Sequence, residues 1–263
     1  MTRAASSESA FYAVSALLFA ASVTVTVLWC ASMSAMGGMA MPGGWTMSMA
    51  WMRMPGQTWI QAGASFVGMW LVMMIAMMLP SLVSMLRRYR RAVGRPGDVG
   101  LGGRTVLVGA GYFFVWTLLG VVAFPVGVLL ATLEMQVPAL ARSVPVAVGA
   151  IVMIAGALQL TAWKTRHLEC CRRAPVGSES LRPGARVAWG HGMRLGMHCT
   201  HCCAGLTAIL LVVGVMDLRA MALVTAAITL ERLAPAGRRI ARVIGILLIL
   251  TGALVIVRAG GFG

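Results

Sequence analysis

Residues 64–86 read ASFVGMWLVMMIAMMLPSLVSML, and the next five are RRYRR. The run carries no charge, and a helix of about 20 apolar residues is what crosses the roughly 30 Å hydrocarbon core of a bilayer. The arginines that close it stand where a membrane helix meets anionic headgroups.

Outward from this stretch the same pattern recurs. Uncharged runs cover Ala10 to Ser32, Thr105 to Leu133, Val144 to Trp163, Gly196 to Met216 and Val243 to Val257. A shorter run, Ala220 to Leu230, suits a tilted or partly inserted segment. The first run is long for the apolar region of a signal peptide, and no small-x-small cleavage site follows it, so it reads as a retained span. The expectation is an all-α fold, a polytopic transmembrane helical bundle of six or seven spans. It divides into an N-terminal region with the first span (1–32), a Met-rich outer loop (33–61), and a multi-span membrane domain (62–263) with a Cys/His-rich cytoplasmic loop at 164–203.

Composition agrees. The 263 residues are 59% hydrophobic and only 11% charged, with a mean hydropathy of +0.86. A soluble domain carries about a quarter of its residues as Asp, Glu, Lys or Arg, so an ordinary soluble enzyme is excluded. The net charge of +15 does not point to nucleic acid, because 21 of the 22 basic residues are Arg set in short clusters between the apolar runs. With the N-terminus in the cytoplasm, 18 basic residues fall on inner segments and 4 on outer ones, as the positive-inside rule requires. That predicts a multi-pass protein of the bacterial inner membrane. If Ala220 to Leu230 does not cross, the basic stretch Arg232 to Arg242 changes sides.

Methionine is unevenly spread: 14 of 21 lie between positions 33 and 85. Met33, Met36, Met39, Met41, Met47, Met49, Met52 and Met54 occupy the outer loop. Met69, Met73 and Met77 then recur at i, i+4, i+8 on the second span, with Met74 and Met78 as a neighbouring stripe and Pro80 directly after. Thioethers are soft ligands suited to Cu(I). Methionine is also an adaptable core filler, and packing is the stronger reading for the span methionines taken alone. In the loop, methionine has nothing obvious to pack on.

Cysteine and histidine are more concentrated still. Five of six Cys and all four His lie between 167 and 203. His167, Cys170 and Cys171 form one group. His198, Cys199, His201, Cys202 and Cys203 form the other, where Cys199 and Cys203, and His198 and Cys202, are each one helical turn apart. Thiolates and imidazoles are the ligands of Cu(I) and Zn(II). In a reducing cytosol such thiols stay free rather than forming a structural disulfide. A Cys-x-x-Cys pair also serves thiol redox chemistry, and cysteine can simply fill apolar helix surface. Glu134, Asp217 and Glu231 sit near span ends, where interfacial solvation suffices for them. Arg232 or Arg238 is the expected partner of Glu231. No catalytic pair, phosphate loop or nucleic-acid motif is present.

The segment Trp70-Leu71-Val72-Met73-Met74-Ile75-Ala76-Met77-Met78-Leu79-Pro80-Ser81 resembles the hallmark of a bacterial family of predicted metal-binding integral membrane proteins of unknown function. Further pieces match in order. They are Gly111-Tyr112-Phe113-Phe114-Val115-Trp116, Gln159-Leu160-Thr161 with Lys164, Cys171-Arg172, Cys199-x2-Cys202-Cys203, Gly214-Val215-Met216, and Glu231 near Pro235-x-Gly237. The chain departs from that pattern at His167, His201, Ala204 and Asp217, where Cys, Gly, Trp and Asn are usual. The resemblance implies a polytopic inner-membrane protein with a metal site.

Together these readings predict a protein that binds a soft metal, Cu(I) first and Zn(II) second, and transports it or hands it to a partner. A metallochaperone or a membrane-complex partner fits that role. The alternatives are a membrane thiol oxidoreductase or redox sensor using Cys199 and Cys202, and an assembly subunit of a membrane complex.

Overall fold

The structure is a computed structural model, and it describes residues 2–35, 37–94, 100–173 and 184–260. Among these, eight helices carry the fold: α1 (Thr2–Ala35), α2 (Trp59–Val93), α3 (Leu101–Gln136), α4 (Pro138–Leu160), α5 (Ala162–Arg173), α6 (Ala185–Val213), α7 (Leu218–Leu233) and α8 (Gly237–Gly260). A small hairpin, β1 (Met39–Met41) with β2 (Trp45–Met47), lies between α1 and α2.

Six helices are long and apolar enough to cross a membrane: α1 from Ser7, then α2, α3, α4, α6 and α8. The fold is that of a multi-pass membrane protein. The short run at 220–230 becomes α7, whose 16 residues reach about 24 Å, less than the roughly 30 Å core. Most helices extend several residues beyond their apolar runs, and two regions differ in another way. The fourth span stops at Leu160, where Thr161 turns to extended backbone. The expected inner loop is largely helical, since α5 takes 162–173 and α6 begins at Ala185, well before Gly196. Glycine and histidine at 190–192 lower the hydropathy there, yet His191 and Gly192 face neighbouring helices.

Local chemistry sets the ends. Thr58 and Gln61 form a reciprocal capping box at the start of α2, satisfying two otherwise unpaired backbone N–H groups. Pro138 opens α4 at a position where no donor is needed. Asp217 caps α7 by accepting from the backbone N–H groups of Arg219 and Ala220.

Lipid offers no hydrophobic drive for helix pairing, so small residues that admit close backbone approach decide the contacts. α4 and α8 run antiparallel, with Gly149 against Gly252 and Gly156 against Gly245; a Cβ on Gly156 would stand 2.7 Å from the Gly245 carbonyl. α3 and α6 run parallel. Gly192 lies against the Val108 carbonyl, and one turn on, a Cβ on Gly196 would stand 2.8 Å from the Tyr112 carbonyl.

Contacts between helix ends gather the arginine clusters on one end of the bundle. Arg87 pairs with Glu8 at 3.8 Å, and Arg90 donates to the Ser7 hydroxyl at 2.9 Å and the Thr105 hydroxyl at 3.4 Å. Tyr89 stacks on His191, and Arg238 reaches Glu169 at 3.7 Å. α7 starts near Cys30, whose sulfur is 3.9 Å from that of Met216, and ends beside Cys199. Short as α7 is, the chain after it emerges toward the arginine-rich end.

At the opposite end the hairpin docks on the α3–α4 junction. Trp45 Nε1 donates to the Ala141 carbonyl at 2.9 Å, and Met41 and Met47 are buried against Ala131 and Ala141. These two loop methionines therefore do have something to pack on, while Met39 stays exposed.

Candidate functional site

The second helical group of cysteines projects into the bundle. Cys199, Cys202 and Cys203 on α6 are buried, and Cys171 on α5 is buried beside them. Cys199 Sγ is 2.7 Å from Tyr112 Oη and accepts from Arg232 Nη2 at 2.9 Å. The same Nη2 donates to Cys203 Sγ at 3.1 Å. Cys171 hydrogen-bonds to Cys202, and this contact together with burial pushes the Cys171 thiol well above its ordinary pKa. The i, i+4 spacing of Cys199 and Cys203 is what lets one guanidinium nitrogen serve both sulfurs.

Arg232 comes from the last turn of α7 and is itself buried. Its Nη1 donates to Ser81 Oγ at 3.1 Å, while its Nε has no partner. Ser81 follows Pro80 on α2 and donates to the Met78 carbonyl at 3.0 Å. Met78 Sδ stands 4.0 Å from Cys199 Sγ. Met69, Met73, Met74 and Met77 continue the α2 stripe toward the hairpin end, and all are buried.

A second charged pair supports the cluster. Lys164 Nζ donates to the Cys202 carbonyl at 2.7 Å and is 2.7 Å from Glu231 Oε2, and Gln159 Nε2 donates to Glu231 Oε1 at 2.7 Å. Burial works against the Lys164 ammonium, but Cys202 and the Glu231 carboxylate outweigh it and hold its pKa above the ordinary value. The partner of Glu231 is thus Lys164, not the expected Arg232 or Arg238. The reason is geometric: α5 brings Lys164 under α7, while Arg232 turns to the sulfurs.

The electrostatics follow from these pairings. Lys164 and Glu231 neutralise each other, leaving the Arg232 charge facing sulfur in a dry interior. An uncompensated buried charge is costly. The donor set therefore fits an anionic group at the thiols, which a Cu(I) ion held by two thiolates is. Among the described residues no group of three or more His, Cys, Asp or Glu is arranged to hold a metal ion.

The other candidate ligands lie elsewhere. His167 on α5 and His201 on α6 stack on each other, 5.7 Å between ring centroids, away from the buried thiols. His198 is half-buried between the two faces. Met39 and Met41 are in the hairpin. Met36 and the Cys170 side chain fall outside the described residues.

Five contributors escaped the ligand search in the sequence: Tyr112, Ser81, Gln159, Lys164 and Arg232. None is a soft ligand. The signal for four of them was present all the same, because they belong to the short pieces that carry the family resemblance, and the fold brings those pieces together.

The fold and the site define a multi-pass helical membrane protein with a thiol cluster buried against a guanidinium. Residues 67–255 match the model of the PpoB2 family, described as a copper chaperone, and the chain belongs to that family. No curated protein and no solved structure matches the chain.

Proposed function

We propose that the protein carries Cu(I) between its hairpin end and the thiol cluster, and delivers it from there to a partner. One observation carries the reading. The buried methionine helix α2 meets α6 with Met78 Sδ 4.0 Å from Cys199 Sγ, so a thioether and a thiol sulfur stand side by side in the bundle. Both are soft donors that select Cu(I). Thiolate is the stronger ligand, so the ion is held more tightly as it moves from methionine to cysteine. Membership of a copper chaperone family supports the cargo.

The outer methionines, Met36, Met39 and Met41 among them, would collect the ion. Met73, Met74, Met77 and Met78 would pass it. Cys199, Cys202 and Cys203, with Cys170 and Cys171, would receive it, and the His167, His198 and His201 side would face the exit. Arg232 would balance the charge of a two-thiolate complex without itself binding copper. In the cell, the arginine-rich end would face the cytoplasm of a bacterium and the hairpin the outside, following the positive-inside rule. Residues 237–260 and the other long helices would lie in the inner membrane. The gradient favours import or delivery over export.

The test is anaerobic loading of the detergent-purified protein with Cu(I), followed by metal analysis, for wild type and the Cys199→Ser/Cys202→Ser/Cys203→Ser variant. Near-stoichiometric copper that the variant loses is the expected result. Equal copper in both would overturn the assignment of the cysteines. No copper in either, with thiols that cycle reversibly, would turn the function to membrane thiol redox chemistry.

A further inference from the structure

We propose that His167 and His201 form a second metal site, on the outer face of the helix bundle and separate from the buried thiols, that takes a borderline divalent cation such as Zn(II) or Cu(II).

The two rings come from different helices and meet at the surface. Their centroids are 5.7 Å apart with planes inclined by 24°, a spacing at which two imidazoles can turn one nitrogen each toward a shared ion. Each ring is already oriented. His167 Nδ1 is 2.8 Å from the Trp163 carbonyl and His201 Nδ1 is 2.7 Å from the Met197 carbonyl, in both cases one turn back on the same helix. A carbonyl only accepts, so each Nδ1 donates to it, and Nε2 is the ring atom left to face an ion. A ligating histidine is usually held in this way, its other ring N–H fixed on a carbonyl or carboxylate that sets tautomer and direction. The Trp163 ring lies tilted 4.4 Å from the His167 ring and edge-on 6.3 Å from that of His201, which further restricts both.

The chemistry differs from that of the thiol cluster. Imidazole suits Zn(II) and Cu(II), whereas thiolate and thioether select Cu(I). Two protein ligands leave coordination positions free for water or for a donor from an incoming molecule, as in metal sites that exchange their ligands. The site does not depend on the copper route proposed above, because neither histidine touches the buried sulfurs through any of these contacts.

Zn(II) titration of the full chain in detergent by calorimetry tests this, using the Cys199→Ser/Cys202→Ser/Cys203→Ser background with and without His167→Gln/His201→Gln. One Zn(II) site that survives the serine changes and disappears with the glutamines is the expected result. Zn(II) binding that the glutamines leave unchanged, or that the serine background lacks altogether, would overturn the proposal. Should the serine background fail to fold, Cu(II) paramagnetic resonance on the chain with its cysteines intact reads the same site. Nitrogen hyperfine structure lost on His167→Gln/His201→Gln supports the proposal, and a spectrum unaltered by those changes refutes it. Cu(I) loading of the same glutamine variant is read separately and reports only on the thiols.

Discussion

Arg232 Nη2 lies 2.9 Å from Cys199 Sγ and 3.1 Å from Cys203 Sγ, so one guanidinium nitrogen bridges two thiols a helical turn apart. The contact ties the end of α7 to the middle of α6, and through Ser81 to α2. Three helices thus converge on one charge that the membrane interior would otherwise exclude.

Arg232→Met should be strongly destabilising before any metal is added. Removing one member of a buried ionic arrangement costs about 3–5 kcal/mol, and Cu(I) affinity should fall as well. Arg232→Lys should be intermediate, since an ammonium lacks the planar fork that reaches Ser81 and both sulfurs together. Thermal unfolding in detergent and Cu(I) competition against a chromogenic chelator measure the two effects. A methionine variant as stable and as copper-tight as wild type would remove Arg232 from the site.

Lys164 and Glu231 should behave as one unit. Lys164→Met alone leaves a buried carboxylate, and Glu231→Leu alone leaves a buried ammonium, each at a cost of about 3–5 kcal/mol. The double variant should cost clearly less than the two together, because contacting residues couple. A double-mutant cycle on unfolding midpoints gives the coupling directly, and additive losses would mean that the 2.7 Å contact does not act as a pair.

The methionine stripe separates packing from transport. Met73→Leu, Met77→Leu and Met78→Leu conserve volume, so each should change stability by less than about 1.5 kcal/mol. Cu(I) entry into the thiol cluster, followed in proteoliposomes with a copper-responsive dye inside, should slow nonetheless, and most for Met78, whose sulfur faces Cys199. Unchanged uptake in all three would return these residues to packing alone.

The spans were legible because hydropathy is a property of a single run, and residues 64–86 needed no partner to be read. The soft ligands were legible by type. The site's charges were not, because their meaning depends on which helices meet. Glu231 looked like an interfacial carboxylate until α5 placed Lys164 against it, and Arg232 looked like one more cytoplasmic arginine. The histidines show the converse limit. His198 and His201 sit among cysteines in sequence, yet a helix turns 100° per residue, and that rotation carries His201 to the surface and Cys202 to the interior.

The parallel packing of α3 on α6 is what sets Tyr112 against Cys199, and it rests on glycine. A Cβ at Gly192 would collide with the Val108 carbonyl, which is backbone and cannot rotate away. Gly192→Ala should therefore force the helices apart and cost about 1–3 kcal/mol as an overpacked contact, drawing Tyr112 off the Cys199 sulfur one turn further on. Gly190 supplies the control within the same helix, since a Cβ there meets nothing within 4 Å. Gly190→Ala should stabilise by about 0.5–1 kcal/mol through helix propensity alone. Opposite signs for two alanines set two residues apart would fix the α3–α6 register by experiment, read from unfolding midpoints and, for Tyr112, from the loss of its hydrogen-bonded ultraviolet signature. Two stabilising substitutions would mean that α3 and α6 do not pack through Gly192, and the Tyr112 contact would lose its support.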